Sequence, residues 1–368
     1  MSVVISGLGT AVPSTTIDQN QALEIARVLC SRTPEQESWL PGMFAKTGIH
    51  KRHFVHPQAL IDDLLAGTRD SGSPYLPTGE PDDRGPSTGV RMRIYAEEAP
   101  RLALTAAREA LADSGVDPAT VTHLVTVSCT GFCAPGLDYA LMKGLELPPG
   151  VERTHVGFMG CHGALNGLRV ASALAAQDPN ARVLLCAVEL CSLHYQFGWN
   201  PQQIIANALF ADGAGAVILE PARGADRTDW RLTATGSSLI AGSPKAMTWS
   251  IGDHGFEMTL SKKVPDFILG SLRAWLEEWL GGRGLSIGDV GSWAVHPGGP
   301  KILDAVGEAL ALEPSLLEES REVFAKYGNM SSPTVLFILR RLIDRGAARP
   351  CVALGFGPGL VVEGTLIR

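Results

Sequence analysis

Two stretches of the 368-residue chain can be laid over one another, and this self-similarity limits the possible folds more than any other feature of the sequence. One runs from the helix near Pro100 into SGVDPATVTHLVTVSC, the other from the helix near Lys263 into GRGLSIGDVGSWAVHPG. An offset of 169 residues pairs Gly115 with Gly284, Val116 with Leu285, Val121 with Val290 and Leu124 with Trp293. A second offset, 167, pairs Ala181-Arg182 with Ala348-Arg349, each opening an apolar strand after a long helix. Each copy reads as helix, glycine turn, short connection and buried strand. The expectation is an α/β chain of two related halves, 1–222 and 223–368, meeting near Pro221-Ala222-Arg223-Gly224.

Composition narrows the class. With 45% hydrophobic and 19% charged residues the chain can bury a sizeable core, which excludes disorder. A net charge of -7 leaves no global basic footprint for nucleic acid. MSVVISGLGT at the start has no basic residue ahead of its apolar run and reads as a first strand. No stretch reaches the ~18 apolar residues of a membrane span. Seven cysteines, an odd number without a signal segment, point to reduced thiols and a cytoplasmic location. Gly67 to Thr88 is polar and rich in glycine and proline, and reads as a long surface loop: either a mobile connection or a lid. His50, His53 and His56, among basic neighbours, read as a solvated face. No cysteine or histidine spacing matches a zinc site.

Three residues at glycine-flanked turns could carry chemistry. Cys161, in THVGFMGCHGALNGLRV, sits where a turn opens a helix, and a helix N-terminus favours a thiolate. The alternative is a buried structural cysteine. His296, in SWAVHPGGPKIL, is at a strand tip; Asn329, in AKYGNMSSPTVLFIL, again precedes a helix. Under the duplication Cys161 and Asn329 occupy nearly equivalent places, so both can face one cleft. A thiolate nucleophile needs a proton acceptor and donors for the substrate oxygen, and this set supplies them.

In these segments, together with ALFADGAGAVI around Phe210, WSIGDHGFEMTLS from Trp249 and the terminal GFGPGLVVEG, the chain resembles the type III polyketide synthases. These are the chalcone-synthase-like condensing enzymes of the thiolase superfamily. CTGF and ELCSLH are most similar to bacterial alkylpyrone and alkylresorcinol synthases. The resemblance implies a thiolase-like αβαβα fold of two duplicated halves, a homodimer, and acyl-CoA and malonyl-CoA as substrates, with no further cofactor and no metal. It implies that Cys161 carries the growing chain, that His296 and Asn329 hold the thioester carbonyl, and that Phe210 is a gatekeeper. It also implies that Cys129, Thr130, His194 and Met258 shape the cavity. Of the basic residues used for CoA only Lys46 matches, with Lys51 or Arg52 as substitutes, and Ala134 replaces a bulkier residue at the dimer contact. The reaction implied is decarboxylative Claisen condensation onto a preferably aliphatic starter, closed to a pyrone or resorcinol-type ring. The alternatives are a ketosynthase III-like single condensation, a Cys-His-Asn hydrolase, and a catalytically silent partner of the same fold.

Overall fold

The computed structural model describes residues 2–222 and 230–368; Arg223 and Gly224 of the expected joint lie outside the described residues. The strands are β1 (Val3–Ala11), β2 (Thr15–Asp18), β3 (Lys51–Phe54), β4 (His123–Ser128), β5 (Glu152–Gly157), β6 (Val183–Leu190) and β7 (Asp212–Pro221). There follow β8 (Arg231–Leu239), β9 (Met247–Gly252), β10 (Gly255–Leu260), β11 (Ser292–Val295), β12 (Cys351–Gly357) and β13 (Val361–Ile367). Nine of them form one mixed sheet in the order β11-β12-β13-β8-β1-β7-β6-β4-β5; β2–β3 and β9–β10 are separate hairpin-like pairs. β1 and β8 join the two halves through Val3↔Leu232 and Val4↔Arg231.

Alternation along the buried strands decides the layering. Every side chain of β6 is buried, and successive residues point to opposite faces. Leu184, Cys186 and Val188 enter one core with the Ala-rich face of helix Thr88–Ser114, while Val183, Leu185 and Ala187 enter a second. β12 does the same: Cys351 and Ala353 share that second core, whereas Val352, Leu354 and Phe356 face helices Val264–Gly281 and Pro300–Leu310. Helices Gly163–Gln177 and Thr334–Asp344 fill the middle layer between the two half-sheets, giving helix, sheet, helix, sheet, helix. In the second of these Val335, Leu336, Phe337, Ile338 and Leu339 are all buried, each worth about 1.5–3 kcal/mol of apolar burial.

The duplication holds at the level of single turns. Short 3₁₀ turns at Pro118–Thr120 and Ile287–Asp289, and the starts of β4 at His123 and β11 at Ser292, keep the 169-residue offset. Gly115 and Gly284 both adopt positive φ, 68° and 70°, which a residue with a Cβ disfavours.

The polar segment Gly67 to Thr88 is neither a free connection nor a lid. The Asp63 carboxylate accepts from the backbone N–H of Asp70 (2.9 Å) and Ser71 (2.8 Å). The buried Tyr75 hydroxyl donates to Leu193 O (2.8 Å), and buried Arg91 donates to the carbonyls of Pro86, Leu193 and Tyr195. The loop is thereby pinned as the backing of the wall that carries His194. The histidine run also departs from expectation. His50 is exposed, but His53 and His56 are buried, with ring nitrogens on Pro13 O (2.8 Å) and Ser192 O (3.3 Å).

Candidate active site

The nucleophile turn is built under tension. After β5 the chain passes through Phe158 at φ 59°, a strained conformation for an aromatic residue, and Gly160 at φ 71°, then makes a 3₁₀ turn over Gly160–His162. Cys161 is buried on this turn, at the head of helix Gly163–Gln177. The GFGPG segment packs against it from the other half. A Cβ on Gly357 would lie 2.3 Å from His162 Cδ2, and one on Gly160 would lie 2.5 Å from Pro358 Cδ, so both sites exclude a side chain. The His162 Nδ1 is 2.6 Å from Asn166 Oδ1, which makes Nδ1 the donor.

His296 leaves β11 with its N–H on Leu354 O (2.8 Å), beside the strand whose Gly355 and Gly357 lie against His162. Asn329 is fixed by its backbone. Its N–H donates to Leu209 O (2.9 Å), its carbonyl accepts from Ala211 N (2.8 Å), and its side-chain oxygen accepts from Ser331 N (2.8 Å). Only its amide nitrogen remains. That nitrogen and both ring nitrogens of His296 are buried and make no hydrogen bond. Asn329 lines the same compartment as Cys161, and His296 neighbours His162, the residue after Cys161, whose buried Nε2 likewise makes no hydrogen bond.

Burial sets the resting charge state. It pushes the Cys161 thiol up to about 11 against the opposing pull of Ser331 and Asn329, with Glu189 adding to the rise. Burial, and then the neighbouring His162, bring His296 down to about 3. The resting pair is therefore neutral. The resting thiolate at the helix N-terminus expected from sequence is thus disfavoured, since burial outweighs the groups that lower the thiol's pKa.

A narrow cavity runs from this centre in three connected compartments. Cys161 and Asn329 line the first, Cys161 with Cys129 and Thr130 the second, and His194 with Cys191 the third; Phe210 and Met258 line all three. Trp249, not singled out in the sequence, forms a shared wall of the latter two, held by its Nε1 on Cys129 O (2.8 Å) and packed edge-on to His194. Both nitrogens of His194 are occupied: one lies 2.7 Å from Thr130 O, the other accepts from Phe256 N (2.9 Å). The ring stacks on Phe256 at 4.2 Å. Its part in the site is thus a fixed wall. Lys46 caps helix Pro34–Ala45 on the surface and lines none of these compartments, and Lys51 is also exposed. Arg52 is buried, so it is not a surface contact for a CoA phosphate.

Glu189, the one charged residue in the apolar run of β6, was missed by the motif reading. Its carboxylate accepts from Cys129 N (2.9 Å), Thr130 Oγ1 (2.7 Å) and Ser332 Oγ (2.6 Å), which ties β6 and the loop after β4 to the turn that follows Asn329. Burial raises its pKa, and these donors oppose the rise.

The buried rings also set an acid limit. His56 is held down to about 4, His194 and His296 to about 3, each chiefly by burial. Below pH 6.5 the unfolded chain takes up protons that these rings refuse, so stability is full above that pH and is lost as pH falls towards 4 and 3. Asp212, raised to about 6 by burial, works oppositely: its contribution is present below its unfolded value and lost as pH rises through 6. The three rings outweigh it. Going from pH 6.5 to 5 should cost about 2 kcal/mol per ring, read as a fall in the urea midpoint. His56→Phe should lose about 2 kcal/mol less over that interval; equal losses in both proteins would refute the assignment.

Comparison with known proteins places this geometry. Residues 2–224 match the family model for chalcone and stilbene synthases, N-terminal domain, and residues 231–368 match the C-terminal domain of the same family. The alpha-pyrone synthesis polyketide synthase-like Pks18 of Mycobacterium tuberculosis is 30% identical over 379 aligned positions, covering 99% of this chain and 90% of that protein. PKS-I from the brown alga Ectocarpus siliculosus superposes with a TM-score of 0.91 at 32% identity, over 100% of this chain and 98% of the other. The C-terminal type III polyketide synthase domain of Steely1 from Dictyostelium gives 0.88 at 26% identity, over 100% and 99%.

Proposed function

The chain belongs to the chalcone and stilbene synthase family of type III polyketide synthases, and from that premise we propose how its own residues divide the work of condensation. It is an acyltransferase that condenses malonyl-CoA units onto an acyl starter. The starter acyl group passes from CoA sulfur to Cys161 Sγ, with His296 taking the thiol proton and returning it to the departing CoA thiolate. Malonyl-CoA then enters with its thioester oxygen against His296 and the Asn329 amide. Loss of CO₂ leaves an enolate whose charge those donors meet, and its carbon attacks the Cys161 thioester. The lengthened chain leaves on CoA and is returned to Cys161 for the next cycle.

The observation that supports this reading is that Asn329, its amide nitrogen free of hydrogen bonds, lines one compartment with Cys161, whose neighbour His162 lies beside the unpartnered ring of His296. Aliphatic starters fit the walls, since Phe210, Met247, Met258 and Trp249 offer apolar, partly adaptable surface. Pyrone closure is proposed by analogy with the Mycobacterium relative, whose name assigns it that product class. Phe210, at the meeting of the compartments, separates the CoA arm from the growing chain; Cys129, Thr130, His194 and Met258 limit its length, and Lys46 meets the CoA phosphates.

We propose a homodimer that meets along the free edge of the sheet. Among the described residues β5 pairs only with β4 and is exposed along Glu152–His155, while Phe132, Tyr139 and Met159 present apolar surface. We place the enzyme in the cytoplasm: its seven cysteines are all unpaired, and no described helix is long and apolar enough to cross a membrane.

A panel of C2 to C18 acyl-CoAs with malonyl-CoA tests the reading by product mass. Release of CO₂ and products holding at least two malonyl units are expected. One unit per product would favour the single-condensation enzyme, and no CO₂ with no extension would overturn the proposal.

A further inference from the structure

Arg52 is 1% exposed and forms no ion pair within 4 Å among the described residues. Its Nη1 donates to the carbonyls of Asn207 (2.6 Å) and Phe210 (3.1 Å), at the end of helix Pro201–Leu209, and its Nε has no partner. The guanidinium lies 5.5 Å from the centre of the Phe54 ring. Its stem passes under the turn that presents Asn329: a Cβ on Gly328 would lie 2.8 Å from Arg52 Cγ, and Gly328 adopts φ 72°. Phe210 and Asn329 already pair through Asn329 N on Leu209 O and Ala211 N on Asn329 O. One side chain from β3 therefore supports both the helix end that carries Phe210 and the turn that carries Asn329, which come from different halves.

Keeping a charge in the interior without a carboxylate in contact costs several kcal/mol, and a residue of similar volume without charge would avoid that cost. The planar guanidinium donates from Nη1 to both carbonyls, which methionine cannot do and the flexible ammonium of lysine does only in part. We propose that Arg52 is a positioning residue for condensation, fixing the Asn329 amide and the Phe210 ring as one unit at the mouth of the Cys161 compartment. This rests on the reading of Asn329 as a holder of the thioester oxygen. Cys161 stands on a different element, the turn after β5, and does not depend on Arg52.

That separation supplies the test. Arg52→Met is expected to lower kcat for CO₂ release from malonyl-CoA about tenfold or more, because a displaced donor loses its hold on the developing charge. KM, and the rate at which iodoacetamide labels Cys161, should stay within about twofold. Arg52→Lys should recover part of kcat, and millimolar guanidinium should restore Arg52→Ala. Unchanged kcat in Arg52→Met would overturn the inference. So would a parallel loss of kcat, Cys161 labelling and thermal midpoint without rescue, which is the mark of a purely structural residue. Wild-type enzyme that released no CO₂ would instead overturn the role given to Asn329, and this inference with it.

Discussion

Cys161→Ala is expected to abolish chain extension, by about 10³-fold or more, while malonyl-CoA still loses CO₂; Asn329→Ala is expected to slow CO₂ loss, and extension with it, while Cys161 still takes up the starter acyl group. The argument is one of geometry. Extension needs a sulfur to carry the acyl group, and no other group in the compartment is placed for it. Cys129 and Cys191 also line the cavity, but Cys161 alone of the three shares a compartment with Asn329 and stands at the head of a helix. CO₂ loss needs only donors for the enolate oxygen, a part the proposed mechanism gives to His296 and Asn329, whose side-chain nitrogens make no hydrogen bond. Removing one such donor typically costs about 10²–10³ in kcat. Asn329→Ala should thus release CO₂ that much more slowly, yet still take up a radiolabelled acyl group from its CoA thioester. Equal loss of both steps in both variants would sink this division of labour.

The second large effect is on stability. Glu189→Leu should remove about 3–5 kcal/mol, because it strips the shared acceptor from four buried donors: Ser128 Oγ, Cys129 N, Thr130 Oγ1 and Ser332 Oγ. Against a usual total of about 5–15 kcal/mol this is a large share, and the denaturant midpoint should fall accordingly. Glu189→Gln keeps the shape and one acceptor oxygen but turns an NH₂ towards a donor, so an intermediate loss is expected. A Glu189→Leu protein as stable as wild type would show that the carboxylate is not the tie between β6 and the turn after Asn329.

How much was legible in the sequence depends on whether a residue's surroundings are local. Cys161, His296 and Asn329 stand at glycine turns that open helices, and those turns are written in adjacent residues. The repeat at 169 residues gave the layered halves for the same reason. Arg52, His53 and His56 misled because a run of basic residues reads as surface; their partners at Asn207, Pro13 and Ser192 lie 155, 40 and 136 residues away along the chain. Tyr75 and Arg91 were hidden by the polar composition around them, although both reach the same distant carbonyl, Leu193 O. Glu189 could have been found. A single carboxylate in VLLCAVEL, a strand otherwise without a polar group, must be satisfied from elsewhere in the fold. Trp249 gave no such signal, since an aromatic residue in a strand is ordinary.

The packing of GFGPG on the nucleophile turn bears on how the enzyme is made. During synthesis Cys161, His296 and Asn329 have all left the ribosome before residues 355–359, so the nascent chain holds its full catalytic set while the turn at Gly160 still lacks Pro358 and the His162 ring lacks its seat on Gly357. β13, which must insert between β12 and β8, emerges later still. Reactivity towards acyl-CoA should therefore appear only once the GFGPG segment and β13 have emerged and packed, which protects a growing chain from being acylated before it has folded.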